Sequence, residues 1–141
     1  MTKNSGADPV RRLVLDTSAY SRMRAGHGEV LDRIADAEVV LIPVTVLGEL
    51  EAGFELGRRP KENRTTLASF LAEQFVSVLP TTAEVARRYG QLFARLRRAA
   101  TPIPVNDIWI AAATVDCGGR LMTFDEDFKR VEGLDCIVLE G

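Results

Sequence analysis

Short apolar runs alternate along the chain with stretches whose apolar residues recur at three- and four-residue spacing, and this alternation predicts strand followed by helix from end to end. Leu13-Val14-Leu15 is the first run, and it stops at Asp16. Thr17-Ser18 then offer helix-entry chemistry; the helical pattern is broken at Gly26-His27-Gly28 before Val30, Leu31 and Ile34 carry the next face. Glu38 to Ile42 predicts a second strand closed by Pro43, which has no N–H to give to a ladder. Thr45 to Leu56 predicts a helix, and the polar break Gly57-Arg58-Arg59-Pro60-Lys61 precedes another that carries Leu67, Phe70 and Leu71. A third strand is expected over Val76 to Leu79.

Thr81-Thr82-Ala83-Glu84 has the order of a capping box, in which a Thr hydroxyl satisfies an orphan helix N–H and a Glu three residues on reaches back. In the long helix that should follow, Val85, Tyr89, Leu92, Phe93 and Leu96 share one side. Arg88, Gln91, Arg95 and Arg98 form a basic stripe about 130° around at 100° per residue. After Pro102 and Pro104 a further helix carries Ile108, Ala111, Ala112 and Val115 and should stop at Gly118-Gly119, a left-handed terminus. Leu121 to Phe124 predicts a strand, Asp127 to Val131 a short helix, and Cys136 to Leu139 the last strand. Five strands separated by helices imply a three-layer α/β/α domain around a central, largely parallel five-stranded sheet, because parallel neighbours need crossover connections. In such sheets ligands bind beyond the carboxyl ends of the strands, where strand order reverses.

Composition narrows the possibilities without changing that picture. A chain of 141 residues, 46% hydrophobic and 27% charged, has the proportions of one soluble domain, expected over residues 11–141. Residues 1–10 (MTKNSGADPV) lack the apolar middle of a signal peptide and read as a flexible leader. The longest apolar stretch, Val39 to Leu47, is interrupted by Pro43 and Thr45 and falls short of the ~20 residues of a membrane span. Eighteen Lys+Arg against twenty Asp+Glu leave a net charge of −2, so nucleic-acid contact must come from local patches. Cys117 and Cys136 form no CxxC pattern, which points to neither a zinc site nor a disulfide framework and suits the cytoplasm. No GxGxxG follows the first strand, and a lone His27 between glycines gives little support to a Ser/His/Asp triad.

The chemistry concentrates in acids at the expected strand ends. Asp16 ends the first strand and Asp125 the fourth; Glu49 and Asp107 lie near the starts of two helices. Each has a structural reading on its own: Asp16 as a helix cap, Asp107 as a complement to a helix dipole, Glu49 in solvent, Asp125 in an acidic turn. Together they conflict, since two bare carboxylates ~4 Å apart repel by about 4 kcal/mol at an effective dielectric of 20. A divalent cation removes the conflict, and oxygen-only ligands favour Mg²⁺ or Mn²⁺. On the same charge argument, Asp16→Asn is expected to preserve or raise stability.

Leu13-Val14-Leu15-Asp16-Thr17-Ser18, Pro43 to Glu49, Pro104 to Ala112, and Thr123-Phe124-Asp125-Glu126-Asp127-Phe128 resemble, in order and spacing, the four motifs of PIN domains. The resemblance runs from about Leu13 to Leu139, and the size is similar to the VapC-type toxins of bacterial toxin–antitoxin pairs. It implies an Mg²⁺- or Mn²⁺-dependent endoribonuclease holding one or two ions on Asp16, Glu49, Asp107 and Asp125. Thr17, Ser18 and Thr123 would support those ligands, and Asp127 would be an outlying acid with surface charge as its plainer reading. It also implies a cognate antitoxin whose disordered C-terminal segment covers the crevice, with a basic side chain in place of the cation; a homodimer is expected as well. The hydrolysis needs no protein nucleophile.

Basic residues must offset such an acidic pocket for RNA to approach it. Arg88, Arg95 and Arg98 on the helix and Arg58 and Arg59 in the loop ending at Lys61 are the candidates, with a solvated face and a charged turn as the alternatives. Trp109 and Tyr89 are aromatic candidates for base stacking, although helical spacing with apolar neighbours favours the core for Tyr89. A receiver domain would need an acidic pair near the first strand and a lysine after a late one, and a haloacid-dehalogenase-type phosphatase would need Asp-x-Asp where Asp16-Thr17-Ser18 stands. The rival that survives is a noncatalytic metal- or RNA-binding module of the same fold.

Overall fold

A computed structural model describes residues 11–141; the leader expected over residues 1–10 lies outside the described residues. The chain runs β1 (Arg12–Leu15), α1 (Thr17–Arg24), α2 (Gly28–Asp36), β2 (Val39–Pro43), α3 (Val44–Leu56) and α4 (Pro60–Leu71). It continues through β3 (Val76–Leu79), α5 (Ala83–Arg98), α6 (Val105–Cys117), β4 (Arg120–Thr123), a 3-10 helix (Glu126–Arg130) and β5 (Cys136–Val138). The sheet order is β3-β2-β1-β4-β5, and every pair is parallel. The path along the sheet therefore reverses between β1 and β4. Connections running in opposite directions lie on opposite faces when crossovers are right-handed, which gives the three-layer α/β/α arrangement.

β1 is central because its sequence permits burial on both sides: Leu13, Val14 and Leu15 are all fully buried, as are Leu121 and Met122 beside them. Such two-faced burial is what parallel strands require. β1 and β4 stay in register from Leu13 opposite Arg120 to Leu15 opposite Met122, so both strands end at the same level. At the other end of β4, Gly119 leaves no room for a side chain: a Cβ there would lie 3.0 Å from Arg12 O, Cys117 Sγ and Val14 Cγ2. Gly118 ends α6 at φ 68°, the left-handed terminus that glycine permits. Among the described residues no helix is long and apolar enough to cross a membrane.

Several boundaries differ from expectation. Thr82, not Thr81, caps α5 by accepting from the Val85 N–H at 3.2 Å; Glu84 then falls too early to reach back and serves only as a first-turn acid. Pro43 is a rung of β2, opposite Leu79, because only a donor is lost at the strand's last position. Pro60 opens α4 rather than belonging to the break, since a first-turn N–H has no partner within a helix anyway. β4 and β5 each stop one residue early, and the segment after Asp125 is a 3-10 helix.

Candidate metal centre

Asp16 occupies the end of β1 and caps α1, so the structural and the functional reading of this residue hold together. It is only 5% exposed. Oδ1 accepts from the Ser18 hydroxyl at 2.7 Å and the Ala19 N–H at 2.9 Å, and Oδ2 accepts from the Thr123 hydroxyl at 2.5 Å. The two hydroxyls are themselves fixed by the backbone just after β4: the Phe124 N–H donates to Ser18 Oγ and the Asp125 N–H to Thr123 Oγ1, each at 3.0 Å. Their hydrogens are thereby directed at the carboxylate. Burial nonetheless raises the Asp16 pKa, outweighing the bonds from Thr123, Ser18 and Ala19, and the charge of Asp125 adds to the rise.

Glu49 lies in the second turn of α3, where the helix leaves the carboxyl end of β2. Thr17 donates to its Oε1 at 2.6 Å and Asn106 to its Oε2 at 3.4 Å. Thr17 thus supports Glu49, whereas Ser18 and Thr123 support Asp16. Asn106, which sequence reasoning passed over as a site residue, ties the first turn of α6 to α3; its place beside Asp107 is the signal that was available.

Asp107, Asp125 and Asp127 converge most closely: each offers one carboxylate oxygen, and the three atoms lie within 4.8 Å of one another. Asp125 caps the 3-10 helix through the Asp127 N–H at 2.8 Å, which brings Asp127 inward from the surface position expected of it. Burial first, then the charges of Asp125, Glu49, Asp16 and Asp127, push Asp107 up to about 7. Three hard oxygen donors, one of them on a carboxylate that resists ionisation, fit a hard divalent cation, which would supply the missing positive charge. The described residues thus place Asp16 beside this trio as a hydrogen-bonded support and Glu49 at its flank.

The basic residues are spread more widely. Arg88 is held by Asp116 of α6 at 2.9 Å, and Arg95 donates to Glu132 O at 3.3 Å. Arg98 is exposed. Arg58 and Arg59 follow α3 at the end away from the acids, the helix itself ending about 10 Å beyond Glu49 along its axis. Arg59 faces Glu62 at 3.7 Å, so the loop is not gathered at the centre. Tyr89 and Trp109 stack on one another, ring centroids 4.0 Å apart, filling the α5–α6 contact rather than offering free faces to bases. Arg130 reaches Asp127 at 3.5 Å and donates to Pro102 O at 3.1 Å, linking the acids to the α5–α6 connection.

Comparison with known proteins bears on the family and the fold. A family model described as PIN domain matches residues 13–134. Ribonuclease VapC4 of Mycobacterium tuberculosis is 31% identical over 130 residues, covering 92% of this chain and 98% of that protein. Ribonuclease VapC5 of the same organism is 28% identical over 120 residues, covering 85% of this chain and 87% of that one. Among solved structures, DNA-bound VapBC from Salmonella typhimurium superimposes with a TM-score of 0.81 at 24% identity, covering 91% and 98% of the two chains. VapC20 of M. tuberculosis, described as a sarcin-ricin loop cleaving toxin, gives 0.66 at 21% identity, covering 85% and 95%.

Proposed function

The chain belongs to the PIN domain family, and we propose that it is a metal-dependent endoribonuclease acting in the cytoplasm as the toxin of a toxin–antitoxin pair. The observation that carries this reading is the trio Asp107, Asp125 and Asp127 at the strand-order reversal, with Asp107 raised to about 7. The names of its ribonuclease relatives supply the substrate class. Asp107, Asp125 and Asp127 would hold one or two Mg²⁺ or Mn²⁺ ions, with Asp16 and Glu49 completing the acidic wall. Held there, such an ion would supply an acidified water and positive charge against the phosphodiester.

The protein's own part is positioning. Thr123 and Ser18 fix Asp16, and Thr17 and Asn106 aim Glu49. The 3-10 helix holds Asp125 and Asp127 in one orientation, which orders the acids before any ligand arrives. A cognate antitoxin and a second copy of the chain are the proposed partners; the crystallised VapBC complexes with this fold support the first. The test is cleavage of single-stranded RNA by the purified chain in Mn²⁺, in excess chelator, and with Asp107→Asn. Cleavage that needs the metal and is lost in the variant is expected. Cleavage undiminished in chelator overturns the mechanism, and metal and RNA binding without cleavage returns the chain to the noncatalytic reading.

A further inference from the structure

The face of α5 turned away from the core carries Arg87, Gln91, Ala94 and Arg98 at intervals of four, three and four residues, which aligns them in one row along the helix. Beside the row lies a shallow groove of about 890 Å³ lined by Arg87, Gly90, Gln91, Ala94, Arg95 and Arg98, with no carboxylate among these residues. Gly90 and Ala94 keep its floor low between the guanidinium groups. Arg87 and Arg98 have no acidic partner among the described residues, unlike Arg88, which Asp116 neutralises. The row spans about 16 Å from Arg87 to Arg98 at 1.5 Å per residue.

Its position gives the groove a direction. Arg98 is the end that leads through the α5–α6 connection to the first turn of α6, which carries Asp107. The α5–α6 connection is tied by Pro102 O to Arg130, which also pairs with Asp127. Arg95 is joined to Glu132 O just beyond Arg130. The Arg98 end of the row is therefore the one joined to the acidic centre, through the α5–α6 connection and Arg130. It ends at Glu84, which with Arg87 and Arg88 lines a separate hollow of about 340 Å³.

We propose that this α5 groove binds the phosphate backbone of single-stranded RNA as it leaves the acidic centre, with Arg87 and Arg98 as the principal contacts. The proposal rests on the ribonuclease reading above. Charge complementarity selects a polyanion, and the absence of exposed aromatic or large apolar side chains from the row disfavours a protein partner, whose interface core would need such anchors. Guanidinium contacts to phosphate carry no sequence information, so the groove supplies affinity and direction and leaves selection of the cleavage site to the centre. The RNA track thereby shifts from Arg88, which is neutralised, to Arg87.

The test is binding of fluorescein-labelled single-stranded RNAs of unrelated sequence to the metal-free protein, followed by anisotropy across salt concentration. Arg87→Ala with Arg98→Ala should lower the slope of log K against log salt by about 1.4, at about 0.7 per lost contact, and by the same amount for every sequence. Arg58→Ala with Arg59→Ala should leave the slope unchanged. An unchanged slope in the α5 variant, or an equal fall in the loop variant, overturns the groove while leaving the proposed nuclease intact. A polyglutamate peptide bound through Arg87 and Arg98 while RNA binding is unaffected assigns the groove to an acidic protein instead and also overturns it. Failure of the wild-type chain to bind RNA at any salt concentration counts against both the groove and the ribonuclease reading, and RNA cleavage in chelator counts against the metal mechanism alone.

Discussion

The Thr123 hydroxyl, at the end of β4, donates to Oδ2 of Asp16, at the end of β1, at 2.5 Å, closing the sheet at the one place where strand order reverses. Because Asp16 also accepts from Ser18 and Ala19, its carboxylate is a structural acceptor as much as a charge. Asp16→Asn replaces one acceptor oxygen by an NH₂ group facing a hydroxyl hydrogen. The expectation that this variant would keep or gain stability is therefore reversed: a loss of about 1–3 kcal/mol is predicted from the orphaned buried group. Urea denaturation of the two proteins in chelator measures it.

Asp107→Asn should act in the opposite sense. Asp107 donates and accepts no side-chain bond within the centre and is raised by burial and like charge. Removing its charge is predicted to stabilise the metal-free protein by about 1 kcal/mol at pH 8, the scale of one solvent-screened like-charge contact, while RNA cleavage falls by more than about 100-fold. Thermal unfolding and a cleavage assay on the same preparation check both halves.

A pKa raised on folding makes the native state hold more protons than the unfolded chain between the ordinary Asp value of 3.8 and about 7. The stability of the metal-free protein should therefore fall as pH rises through that window and level off above it. Metal must displace the same proton, so the apparent dissociation constant for Mn²⁺ should rise roughly tenfold per pH unit below 7. Calorimetric titrations at pH 5.5, 6.5 and 7.5 test this; a constant affinity across the series would separate Asp107 from the metal.

Thr17→Val removes the 2.6 Å donor to Glu49 while keeping shape at a half-buried position. Cleavage is predicted to drop about 10–100-fold, as for other residues that orient a metal-facing carboxylate, with stability changed by less than about 1 kcal/mol. Restoration by Thr17→Ser would show that the hydroxyl is what matters.

If an antitoxin side chain takes the cation's place among these acids, the two ligands must compete. Increasing Mn²⁺ should then weaken antitoxin affinity, and Asp107→Asn should reduce that dependence. Surface plasmon resonance at several Mn²⁺ concentrations measures it, and affinity independent of both would place inhibition elsewhere.

The element order, the parallel sheet and the strand-end acids were legible because each has a local signal: apolar triplets, glycine and proline punctuation, and an Asp at a run's end. What was not legible depends on three-dimensional choices between local equivalents. Thr81 and Thr82 are both able to cap α5, and in the folded chain it is Thr82 that accepts from the Val85 N–H. Asp127 resembled surface charge until the 3-10 turn brought it to Asp107 and Asp125. Arg88 and Arg87 are neighbours in sequence, yet the position of Asp116 on α6 neutralises only the former. Asn106 had only its place beside Asp107 to mark it, and it gains a partner because α3 and α6 meet.

The central place of β1 in the sheet also governs when the acidic centre can exist during synthesis. A ribosome releases β1 and Glu49 early, but the neighbour that completes β1 on its second edge is β4, which emerges only after α6. Until then Asp16 lacks its Thr123 donor, and Asp125 and Asp127 are still untranslated or unpaired. Chains truncated before Arg120 are consequently without the centre, because Thr123, Asp125 and Asp127 all lie beyond that point.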